Sequence, residues 1–73
     1  MRDVEVREQG IRLGQFLKLA GLADSGSDAR QLLERGAVEV NAALELRRGR
    51  QLAVGDVVEV RGEAVRVAAP GPP

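Results

Sequence analysis

The chain has 73 residues, with 11 Lys plus Arg balanced by 11 Asp plus Glu, no His, no Cys and one aromatic side chain, Phe16. That length allows one small domain, because a chain this short buries only about 60% of the surface its unfolded form exposes. The missing residue types exclude disulfides, thiolate metal sites and the commonest general base.

Residues 1–10 carry Arg2, Asp3, Glu5, Arg7 and Glu8 and lack the apolar run of a signal peptide. Nowhere do about 18 apolar residues run together, so a soluble, cytoplasmic protein is expected. Val4 and Val6, alternating with Glu5 and Arg7, leave room for one short strand at the start.

Leu13, Phe16, Leu17 and Ala20 fall at i, i+3, i+4 and i+7, the spacing of one helix face, and Gly21 is placed to end that helix. Arg12 sits in its first turn and Lys18 points away from the apolar face. A second helix is predicted over 26–35. Ser25 and Asp28 read as a capping box, with Ser27 as a rival cap, Ala29, Leu32 and Leu33 as the buried stripe, and Gly36 as the C-terminal stop.

From there the period changes to two. Val38 and Val40 alternate with Glu39, and Leu44 and Leu46 alternate with Glu45 and Arg47, which predicts two strands around a tight turn at 41–43. A wider turn stays open, because Ala42 tolerates positive φ only at a cost of order 1 kcal/mol. A second hairpin is predicted from Val57–Val60 and Ala64–Ala68 around Arg61-Gly62-Glu63. The expected fold class is α+β: a helix pair followed by a small, mostly antiparallel sheet with both helices on one face, in a single domain over 1–68 with a frayed tail at 69–73.

The neutral total conceals a segregation, since residues 12–50 hold seven basic and five acidic side chains. The densest feature is Arg47-Arg48-Gly49-Arg50, three guanidinium groups with no acid among them, whose geometry suits phosphate oxygens. The free amides of Gly26, Ser27 and Asp28, with Arg30 behind them, form a second partially positive end. Catalysis is not expected: Asp24 with Asp28 and Glu34 with Glu39 read as capping and surface positions, and no glycine run leads to a phosphate-loop Lys. No metal site and no cofactor are expected. Phe16, on the core face, offers no stacking platform, so nucleic acid would be held by shape and backbone contact.

Arg12-Leu13, Leu17, Gly21-Leu22, Ser25, Ala29, Leu32-Leu33, Gly36, Val38, Val40-Asn41 and Gly55-Asp56-Val57 with Val60 resemble the RNA-binding domain of the ribosomal protein S-four type, the alpha-L RNA-binding motif, over residues 11–60. Leu17-Lys18, Ser25-Gly26 and Glu45-Leu46-Arg47-Arg48-Gly49-Arg50 are most similar to its small stand-alone bacterial members of the YbcJ type. Gly14 departs from the Asp usual in the wider family, Gly26 from Arg, and Ala42 from the Gly that commonly follows Asn. The resemblance implies a non-catalytic, cytoplasmic binder of structured RNA, ribosomal or transfer. It implies an RNA-facing side made of Arg12, Lys18, Ser25, Gly26, Arg30, Asn41, Arg47, Arg48 and Arg50. About four to six phosphate contacts would give a salt slope of about three to five log units. A monomer is expected, and ribosome association is compatible with this reading. The alternative is a protein-interaction module whose Arg loop docks an acidic partner.

Overall fold

The computed structural model describes residues 1–71. Its elements are β1 (Arg2–Glu5), α1 (Leu13–Leu19), α2 (Gly26–Glu34), β2 (Val38–Val40), β3 (Ala43–Leu44), β4 (Val57–Val60) and β5 (Glu63–Ala68). The strands form one sheet in the order β1-β5-β4-β2-β3. All neighbours pair antiparallel except β1, which runs parallel to β5 with Val4 opposite Val67. The short strand at the start therefore exists and closes the sheet at the far end of the chain. Ala69–Gly71 have no regular structure; the last two positions of the expected tail lie outside the described residues.

The two helices end alike. In α1 the amides of Gly21 and Leu22 donate to the carbonyls of Lys18 and Leu17; in α2 those of Gly36 and Ala37 donate to Leu33 and Leu32. This paired closure needs a left-handed residue after the last turn, and Gly21 (φ 75°) and Gly36 (φ 72°) supply it without Cβ strain. The start of α2 follows half of the expected box. Ser25 Oγ accepts from the Asp28 amide at 3.1 Å, but the Asp28 carboxylate reaches past Ser25 to the Asp24 amide at 3.0 Å.

Period-two alternation in the strands sends Val38, Val40, Val58, Val60, Val65 and Val67 to one face, where they join Leu13, Phe16, Leu17, Ala29, Leu32 and Leu33 in a single buried core. Phe16 is fully enclosed there. The other face is solvated and carries Glu39 opposite Glu59 and Asp3 opposite Arg66.

One strand expectation holds and another is corrected. The turn between β2 and β3 is tight: Val40 pairs with Ala43, and Asn41 (φ 52°) and Ala42 (φ 68°) both take the positive φ that a two-residue hairpin turn of the right twist requires. Leu44 and Leu46 do not face the core. Leu44 pairs with Glu39 on the solvated face, the strand stops there, and both leucines are more than half exposed while Glu45 between them is buried. The phase of the run is thus inverted, and Glu45 can face inward because its carboxylate finds enough N–H donors inside the following loop to offset its desolvation.

Candidate nucleic-acid interface

The loop after β3 is organised around Glu45. One carboxylate oxygen accepts from the Leu46 and Arg47 amides, both at 3.0 Å, and from Arg47 Nε at 3.2 Å; the other accepts from Arg50 Nη1 at 3.0 Å and more distantly from Arg47 Nη2. Hydrogen bonds from the Arg47 side chain, its amide and Arg50, in that order, lower the carboxyl pKa to about 2 against the opposing effect of burial. The same contact raises the Arg47 pKa. The arginine run thus has an acid of its own: it is not a bare cluster of like charges, as the sequence reading assumed.

Having been tied inward by Glu45, the loop crosses the start of α1 backbone first. The amides of Leu13 and Gly14 have no partners within their own helix, and they donate to the carbonyls of Arg50 at 2.8 Å and Arg48 at 3.0 Å. Arg12 Nη1 donates to the Gly49 carbonyl at 3.3 Å, and Leu52 N to the Ile11 carbonyl at 2.8 Å. This docking lays the stem of Arg48 across Gly14, so closely that a Cβ at Gly14 would sit 2.5 Å from Arg48 Cγ. Glycine at position 14, a departure from the family pattern, is what lets Arg48 lie there.

The result is a cleft of about 390 Å³ between α1, the start of α2 and the loop. Arg12, Lys18 and Arg48 line it, Gln15 adds an amide, and the remaining wall is Gly14, Gly26, Ala29 and Gly49. No carboxylate lines it, and among the described residues none of its three cations makes an ion pair. A larger groove of about 640 Å³ beside residues 6–11 and 51–54 has Arg7 and Glu8 together on its wall and gathers no such positive charge.

Of the residues singled out from sequence, the structure brings Arg12, Lys18, Gly26 and Arg48 into the cleft. Ser25 stands next to it as the cap of α2. Arg47 and Arg50 are neighbours along the chain but are bound by Glu45. Arg30 is exposed on α2, 4.0 Å from Glu34 one turn on. Asn41 is tied internally: its Nδ2 donates to Asp56 at 3.0 Å and its Oδ1 accepts from Val57 N at 2.9 Å. The sequence reading missed Gln15 and Glu45. Arg12, Gln15 and Lys18 recur every three residues on the polar side of α1, a signal available in the sequence. Glu45 stood out only as the first residue of the stretch shared with the YbcJ type, and its role stayed hidden because in an alternating run it reads as an outward-facing strand residue.

This arrangement, a helix pair packed on a small mixed sheet, is that of an S4 domain. The chain matches the S4 domain model over residues 4–68 and belongs to that family. It is 48% identical over 59 residues to the probable ribosome maturation protein RlbA of Bacillus subtilis (strain 168), covering 81% of this chain and 83% of that protein. The putative RNA-binding protein YbcJ of Escherichia coli (strain K12) is 34% identical over 59 residues, covering 81% and 84%. The solution structure of E. coli YbcJ, described as an alpha-L motif involved in RNA binding, superposes with a TM-score of 0.67 at 29% identity over 93% of this chain and 85% of that one. The fold is the alpha-L motif fold of that structure.

Proposed function

We propose that this protein is a non-catalytic binder of structured RNA that holds phosphates through Arg12, Lys18 and Arg48. The observation that carries the reading is the convergence of these three cations, none of them paired with an acid, on one carboxylate-free cleft. Such a cluster gains most from a polyanion, which supplies the counter-charge that the protein withholds. Arg47 and Arg50 contribute as a frame, their charge already shared with Glu45. Ser25, Gly26, Arg30 and Asn41 form the flanks of the proposed surface. The ribosome-maturation name of one relative supports ribosomal RNA as the target class.

The test compares Arg48→Ala with Arg47→Ala in RNA-binding titrations across a range of salt. Losing a free phosphate contact reduces the magnitude of the slope of log affinity against log salt by about 1. Arg48→Ala is expected to show that loss, and Arg47→Ala less of it because its partner is internal. Unchanged affinity and slope in Arg48→Ala would refute the assignment. Crosslinking in cells, with sequencing of the attached RNA, identifies the target; recovery of transfer RNA alone would overturn the ribosomal choice.

A further inference from the structure

Resting on the RNA-binding reading, we infer that the cleft receives one unstacked nucleotide, its base edge facing the Gln15 amide and its plane against an arginine, so that this protein reads a bulge or loop in addition to a helical backbone. A phosphate alone needs only a basic surface, whereas a volume of about 390 Å³ falls in the range of about 300–1,000 Å³ typical of small-molecule sites.

The space over Gly14 and Gly49 is taken by the side chains of Arg48 and Arg12, whereas a Cβ at Gly26 would meet nothing within 4 Å, so the entrance beside α2 is open and faces the two arginines. Stacking on an aromatic ring is excluded by the enclosure of Phe16, the chain's single aromatic residue. Unstacked RNA bases also stack on guanidinium planes, and Arg12 and Arg48 supply two that no carboxylate occupies.

Gln15 is the one neutral hydrogen-bonding side chain in the lining. Its Oε1 accepts from the Arg12 amide at 3.4 Å, which uses the acceptor and leaves the NH2 group as a donor pair for an acceptor on a base edge. Arginine cannot accept a hydrogen bond, so this one-sided link is all that remains of a capping box at α1.

Two RNA hairpins with the same stem, one fully paired and one with a single bulged nucleotide, separate the possibilities. Wild-type protein is expected to bind the bulged hairpin about tenfold more tightly, the lower end of what a good bidentate base contact discriminates. Gln15→Leu removes the donors and is expected to cut the preference to under about threefold while leaving affinity for the paired hairpin unchanged, because backbone contacts do not read bases. Equal wild-type affinity for the two hairpins, or a preference retained in Gln15→Leu, would overturn the inference while leaving RNA binding intact. Failure of wild-type protein to bind either hairpin would overturn the RNA reading itself.

Discussion

Glu45 shows how one side chain can decide what its neighbours are free to do. By engaging Arg47 and Arg50 it leaves Arg48 as the loop's arginine with no acid partner among the described residues. Its carboxyl pKa falls from 4.5 to about 2 on folding, so the charged form is favoured by the native state. A depressed carboxyl pKa contributes stability that is fully present above the unfolded value and is lost as pH drops through the folded one. Glu45→Ala is therefore expected to melt below wild type at pH 7, with the gap closing between pH 4.5 and about 2. Thermal melts followed by circular dichroism across that interval check it; a constant gap would mean that packing, not charge, sets the difference. Asp56 acts in the same direction. Burial favours its neutral form, but the Ala53 amide, Asn41 and Arg50 more than compensate and lower its pKa. Some acid sensitivity therefore persists in the Glu45 variant.

Among the elements, the β2–β3 hairpin carries the clearest local conflict. Ala42 holds φ 68°, a region that costs an L-residue with a Cβ roughly 1 kcal/mol, and its Asn41 neighbour is fixed by Asp56 and Val57. Ala42→Gly should relieve that cost, less the part taken back by the freer unfolded chain, and raise the melting temperature by at most about 4–8 °C, the shift expected per 1 kcal/mol in a domain of this size. An unchanged or lower value would place the strain elsewhere. The same hairpin marks the boundary of what the sequence discloses. Both helices, their glycine stops and the valine strands follow from spacing, because each buries one face and the period reports that face. The loop at 45–50 does not follow, because its course depends on a carboxylate collecting donors from residues ahead of it and on helix amides 34 and 37 positions back. The cleft was half legible for the same reason. Arg12, Lys18, Gly26 and Arg48 stood out as charges or as a helix start, but only the docked loop shows that they meet, and that Arg47 and Arg50 turn aside.

At the scale of the whole molecule, the neutral total resolves into two unlike sides. The cleft gathers Arg12, Lys18 and Arg48, while the solvated sheet face presents Asp3, Glu5, Glu39 and Glu59 against Arg66. Glu39 and Glu59 stand directly opposite each other, an arrangement that costs a sheet rather than helps it. A polyanion approaching the acidic side is repelled and one approaching the basic side is drawn in, so a protein without net charge can still orient its partner. The effect is confined to low ionic strength, since the Debye length at physiological salt is about 8 Å.

The start of α1 adds a timing signal. Because the Leu13 and Gly14 protons are held by carbonyls of the arginine loop rather than by their own helix, they exchange with solvent whenever that loop lifts, even if the helix stays wound. Deuterium uptake at these two positions is thus a clock for loop detachment. An RNA that clamps the loop should slow both of them more than it slows the interior amides of α2, and a uniform slowing along the chain would point instead to general tightening of the domain.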